Sequence, residues 1–232
     1  MIISSKEVVD STESEDFQPL EVIAHLVEPV VHYDEGMLLD GPLQWSAVQR
    51  LLREGVVLPP NDKGWTDDFE MKVAKWTRPL YEGCDVDSRA ITADGQIWGW
   101  CCSDIIVDWD NLSKTEVRKK PEISMMKRYA ADKSFDIALG PHKAKNLTFP
   151  TYQSRTAKWY LLGDIDEVRE LLSHVVGIGK LRNMGYGAVE RWEVKAHKDR
   201  NGWLRREMPH AEGKIKGIRA PHWCIGKSVK VK

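Results

Sequence analysis

The sequence predicts an α+β protein: a ferredoxin-like (RRM-type) antiparallel sheet with helices on one face and a basic, thumb-like insertion. Three observations carry that prediction. A strand and an amphipathic helix stand near the N-terminus. A strand, helix, glycine loop and strand follow one another in the last third, repeating the first unit. Between them, residues 110–157 are basic, broken by Pro121, Pro141 and Pro150, and without a strong period.

Residues 1–18 read as a flexible acidic leader, and 19–232 as the folded domain. The first strand is expected over Leu20–Val27, with Val22, Ala24 and Leu26 on one side, and Pro29 ends it. Pro42 suits the first turn of a helix running to Arg53, where Trp45, Val48, Leu51 and Leu52 recur as one apolar stripe and Gly55 supplies the stop. Residues 56–66 form a loop. Strands are expected over Phe69–Trp76 and Gln96–Val107, with a turn at Asp94–Gly95. The insertion at 110–157 holds one short helix near 121–131.

Lys158–Leu162 is the next strand. Asp164 is a helix N-cap, and Glu167 stands where a capping box would reach back to it. Ile165, Val168, Leu171, Leu172, Val175 and Val176 fall on one helical face. The loop GIGKLRNMGYG then runs into a strand over Ala188–Val194.

Composition narrows the function classes. No stretch approaches the ~18 apolar residues of a membrane span, and the N-terminus lacks the basic and apolar regions of a secretory signal, so a cytoplasmic protein is expected. Cys84, Cys101, Cys102 and Cys224 form no CxxC pair, and adjacent residues on a strand point to opposite faces. Reduced, buried thiols are expected, with no metal and no cofactor.

The net charge is −1, but its distribution is uneven. Residues 1–40 carry a balance of −9 and residues 177–232 one of +9, and residues 113–158 hold eleven Lys/Arg against four Asp/Glu. Two basic segments on an otherwise acidic chain suit a phosphate-binding face. Of the ten tryptophans, several adjoin cations, as in Lys75–Trp76, Lys158–Trp159 and Arg191–Trp192. Such interleaving suits stacked bases and paired phosphates of single-stranded RNA.

The glycine loop is the sharpest signal. Gly177, Gly179, Gly185 and Gly187 let the backbone approach a ligand, while Lys180 and Arg182 add charge. The spacing is not that of a P-loop, and the loop follows a helix rather than a strand, which excludes a dinucleotide fingerprint.

The pattern of helix, Gly-Ile-Gly-Lys, Gly-Tyr-Gly and strand resembles the C-terminal glycine-rich loop of the CRISPR-associated RAMP superfamily. HLVEPVV, LLDGPLQWSA, GPHKAKNLTFP and RAPHW at 219–223 add a narrower resemblance, to the type IV effector-complex subunit that binds the 5′ handle of the guide RNA. The resemblance spans roughly residues 20–225. It implies a non-catalytic subunit that grips the crRNA 5′ handle and caps the backbone filament. Its partners would be the backbone and large subunits, with target DNA as a further candidate. The residues it carries over are Gly177, Gly179, Lys180, Arg182, Gly185 and Gly187, with Arg219 and Trp223 of the late motif. Asn183 and Tyr186 of the same loop, and Lys143 and Lys145 of the central motif, complete the RNA-binding set.

Two alternatives stand beside this one. Some relatives cleave precursor crRNA by metal-independent acid–base chemistry, for which His25 and His32 are the candidates, with Tyr33 adjacent. His25 falls in a buried strand, whereas His32 and His142 fall in loops expected to be open. The other alternative is an RRM-like RNA-binding protein acting on its own.

Overall fold

The computed structural model describes residues 3, 8–14, 16–32, 36–58, 67–84, 86–107, 111–120, 122–129 and 143–232. It is an α+β fold whose sheets are antiparallel throughout the paired strands. Residues 59–66 of the loop expected at 56–66, Tyr33 and His142 lie outside the described residues.

The central sheet has β1 (Gln18–Leu26) between β7 (Thr156–Gly163) and β8 (Val189–Ala196). Bridges from Cys102 to Leu161 and from Ile106 to Lys158 lay the segment 102–106 along the far edge of β7. The strand expected over Gln96–Val107 is therefore divided. Its first half is β4 (Ile97–Trp100), which pairs with β3 (Lys75–Arg78), and its second half serves the central sheet. β3 is also shorter than expected, because Phe69–Ala74 is drawn away from regular pairing, with Val73 bridging Gly163.

Helices α1 (Asp40–Arg53) and α3 (Ile165–Ser173) cover one face of this sheet. Leu20, Val22, Ala24, Trp159 and Leu161 meet Leu43, Ala47, Val168, Leu171 and Leu172 in a core where all are essentially inaccessible. Burying each of these leucines contributes about 1.5–3 kcal/mol. Asp164 caps α3 as the sequence indicates, its carboxylate accepting the amides of Asp166 and Glu167. Glu167 does not reach back; it forms a bidentate pair with Arg50 of α1 at 2.9 and 3.0 Å, tying the helices together. Gly55, at φ +78°, ends α1 as expected.

The stripe on α1 differs from expectation. Leu43, Ala47 and Val48 face the core, whereas Trp45 is 44% and Leu52 39% exposed. Trp45 lies two residues from both Leu43 and Ala47, about 200° around the helix from each. Val176 is likewise exposed, because α3 stops at Ser173.

The insertion is more regular than its sequence suggests. β5 (Leu112–Lys119) and β6 (Lys145–Tyr152) form an eight-residue ladder, with α2 (Ile123–Tyr129) between them in sequence. Short β2 (Val30–Val31) joins β6 to the body. A hairpin of β9 (Pro209–Gly217) and β10 (Ser228–Val231), not foreseen in the sequence, packs Val229 and Val231 with Trp76, Leu162 and Trp203 in a second core. The acidic segment expected as a flexible leader is held down where it is described. Val8 enters the main core, and Arg200 donates to the carbonyls of Thr12, Ser14 and Phe17.

Candidate functional site

The glycine loop connects α3 to β8 and lies against β2. Lys180 donates its amide to the Val31 carbonyl at 2.8 Å, Gly187 donates to Pro29 at 2.8 Å, and Ile178 donates to Gly187 at 2.9 Å. These three amides are committed inside the protein, so the close backbone approach expected toward a ligand is, at these positions, an approach to the protein itself. The glycines serve that internal approach. A Cβ on Gly179 would lie 2.6 Å from the Val31 carbonyl oxygen, and one on Gly187 would collide with the Ile178 carbonyl. Both have positive φ, +75° and +65°, which glycine alone adopts without strain. Leu181, at φ +58°, takes the left-handed region without being glycine. Its side chain packs with Tyr186 against Val31, Val117, Leu147 and Phe149, a small core shared with the ribbon of β5 and β6.

Held this way, the loop presents Lys180, Arg182 and Asn183 to solvent. A groove of about 650 Å³ runs between it, α1 and the turn at 220–223. Met37, Val48, Phe69, Val175 and Ile178 give it apolar walls; Trp45, Trp223, Lys180 and Arg182 also line it. Trp223 is 61% exposed. Two large aromatic faces and two cations, from segments far apart in sequence, thus share one concavity. Trp45, Lys180 and Arg182 also border the adjoining hollow, which continues to Asn183, Gly185 and Tyr186.

The turn that carries Trp223 is fixed from beneath. Buried Asp40, in the first turn of α1, accepts the Ala220 amide on Oδ2 and approaches His222 Nε2 through Oδ1, both at 2.9 Å. Burial works against the Asp40 carboxylate, but His222, Arg206 and the Ala220 amide together hold its pKa below the usual 3.8. Asp68 forms a second anchor: Arg219 Nε lies 3.1 Å and Lys227 Nζ 2.8 Å from its carboxylate. The Arg219 guanidinium stacks 3.9 Å over Trp98 and donates to the carbonyls of Trp98 and Arg89. At 1% exposure, Arg219 cannot meet a phosphate. Its expected place in a binding surface is corrected: it is a buried anchor, and burial lowers its pKa against the pull of Asp68.

Lys143 and Lys145 are exposed but stand apart from the groove. Lys145 is at the far end of β6 from Tyr152, about 23 Å along a strand. His25 on β1 contacts Glu193 at 3.1 Å across to β8. His32 is 7% exposed, which corrects its expected openness. The tryptophans singled out beside cations are not the exposed ones: Trp76 and Trp159 are core, and Trp192 packs against it. Trp45 was hidden by its place in an apparent stripe, and Asp40, Asp68 and Lys227 gave no local signal at all.

The family model of CRISPR type IV associated protein Csf3 matches residues 104–232, more than half of the chain and the part that carries the glycine loop and the late turn. No curated protein matches the chain.

Proposed function

We propose that this chain, which belongs to the family of CRISPR type IV associated protein Csf3, is a non-catalytic subunit of the type IV effector complex that grips guide RNA at its 5′ handle. One observation carries the reading: Trp45 and Trp223 face the same groove as Lys180 and Arg182. Exposed aromatic faces stack on unpaired bases whatever their identity, and cations beside them pair with the connecting phosphates. The order of 102–106, β7, β1 and β8, with α1 and α3 on one face, is read as a ferredoxin-like sheet of RRM type. The exposed basic ribbon of β5 and β6, with Lys143 and Lys145 at its far end, is read as a thumb that extends the RNA path or meets the neighbouring backbone subunit. Arg219 is left out of the contact set.

The endoribonuclease alternative has less support. His25 is engaged by Glu193, and His32, although it lines the groove, is only 7% exposed. No helix among the described residues is long and apolar enough to cross a membrane.

The test is binding to single-stranded RNA carrying the repeat handle, against a scrambled strand, for wild type, Trp45→Ala and Trp223→Ala. Each substitution is expected to cost about 1–3 kcal/mol of affinity, the usual worth of one stacked base, with the melting temperature held. Unchanged affinity in both variants would remove the groove from the RNA path. Specific cleavage of precursor RNA, lost on His25→Ala, would replace the binder with a nuclease.

A further inference from the structure

His222 ties the 220–223 turn to α1 and to β9. Its ring lies between two acceptors: Nε2 is 2.9 Å from the Asp40 carboxylate and Nδ1 is 3.1 Å from the Gly217 carbonyl. Neither acceptor can donate, so the ring satisfies both only when both nitrogens carry protons. A neutral ring must turn a lone pair toward one of them. The ring is 35% exposed on its side chain and borders two cavities, the groove and a smaller one of about 330 Å³ on its other side. Solvent protons therefore have access to it.

We infer that His222 is a positioning residue, an imidazolium latch that bridges Asp40 of α1 to Gly217 of β9, fixes the Trp223 wall of the groove, and weakens the groove's hold on a single-stranded RNA as pH rises and the ring loses its proton.

The groups facing the ring agree. Asp40 comes from α1, the Gly217 carbonyl from β9, and Arg206 from the segment before β9; Asp104, Glu207 and Lys216 line the smaller cavity beside it. Burial opposes the ring's charge and Arg206 adds to that opposition. The Asp40 carboxylate and the Gly217 carbonyl outweigh them and hold the pKa above the ordinary 6.5. The sign follows. A histidine whose folded pKa is raised lends stability that is complete below the unfolded value and is lost as pH climbs through the folded one. The loosening thus falls on the alkaline side of 6.5. The Ala220 peptide is gripped from both sides, its amide by Asp40 and its carbonyl by Lys227 Nζ at 2.7 Å, so release of His222 leaves the base of the turn held and frees its tip, where Trp223 sits.

The RNA part of this inference rests on the reading of the groove as a strand-binding surface, and the test separates the two. The full chain is titrated by NMR of the His222 imidazole, in wild type and in Asp40→Asn. The expected midpoint lies above the ordinary value in wild type and drops in the variant. A wild-type midpoint at or below the ordinary value, or one indifferent to Asp40→Asn, overturns the latch without any need for a substitution at His222 to fold. Affinity for a repeat-handle RNA oligonucleotide is then measured on both sides of the midpoint, for wild type and His222→Gln. Wild type is expected to weaken severalfold with rising pH, and His222→Gln to bind weakly at every pH. If the midpoint is raised and RNA affinity ignores it while Trp223→Ala still weakens binding, the latch does not set the wall and the inference fails. If Trp223→Ala and Trp45→Ala also leave binding unchanged, the groove reading is what fails.

Discussion

Gly179 and Gly185 sit in one loop yet resist substitution for different reasons. Gly179 combines φ +75° with a Val31 carbonyl 2.6 Å from where a Cβ would stand, whereas Gly185, at φ +93°, has open space around it. Gly185→Ala is expected to cost only the left-handed strain, about 1–2 kcal/mol. Gly179→Val adds a clash with backbone that cannot move without breaking the Lys180 bond to β2, and should lower the denaturation midpoint far more. Equal losses in a denaturant series would mean that the loop is not seated on β2. The charges beside these glycines should behave oppositely. Lys180 and Arg182 are exposed, so their double replacement by alanine should leave the melting temperature in place. If each meets one phosphate of a single strand, the slope of log affinity against log salt should become shallower by about 1.4. An unchanged slope would remove these two cations from the proposed RNA site and leave the ribbon of β5 and β6 as its candidate.

At the scale of elements, the ribbon and the loop form one mechanical unit. Val117 of β5 and Leu147 and Phe149 of β6 pack on Leu181 and Tyr186 of the loop, with Val31 of β2 between them. This contact holds Leu181 in a conformation that a leucine does not choose by itself. Phe149→Ala removes the largest apolar side chain of the cluster, and such truncations cost about 3–5 kcal/mol in a full core. In a satellite cluster with few neighbours the loss should be smaller and local. Amide exchange at Lys180, whose proton is bonded to Val31, should accelerate, while exchange along α3 and β1 stays as it was. Global acceleration would show instead that the ribbon is part of the main core. α3 needs no such help: its cap, its apolar face and its stop all lie within a dozen residues, and Arg50 of α1 adds a pair with its Glu167.

The molecule as a whole is closed by contacts between its second quarter and its C-terminus. Asp68 is 151 positions from Arg219 and 159 from Lys227, and all three side chains are buried. Arg219→Ala leaves Asp68 and Lys227 in low dielectric with one partner fewer and Trp98 uncovered, and is expected to destabilise the protein by about 3–5 kcal/mol. A midpoint within error of wild type would contradict this placement. Much of the fold was legible in the sequence. β1, α1, α3 with its Asp164 cap, and the glycine loop between helix and strand are set by period and turn chemistry, which act over a few neighbouring residues. The sequence also marked Lys180, Arg182 and Trp223 as groups worth following, and its motifs pointed to the family. It could not show that Gln96–Val107 serves two sheets, because the choice between partners is made by pairing with β3 and β7. It hid the ladder of β5 and β6, whose faces carry polar residues and Pro150 in place of clean alternation. It could not tell that the RAPHW arginine points inward while its tryptophan points out, since Asp68 and Asp40 decide that from distant stretches of chain. Above all, Trp45 and Trp223 become neighbours of one groove only when α1, the loop and the late turn are packed together. Local chemistry writes elements into a sequence; a site made of separate segments exists only after burial and buried charge have brought them to one place.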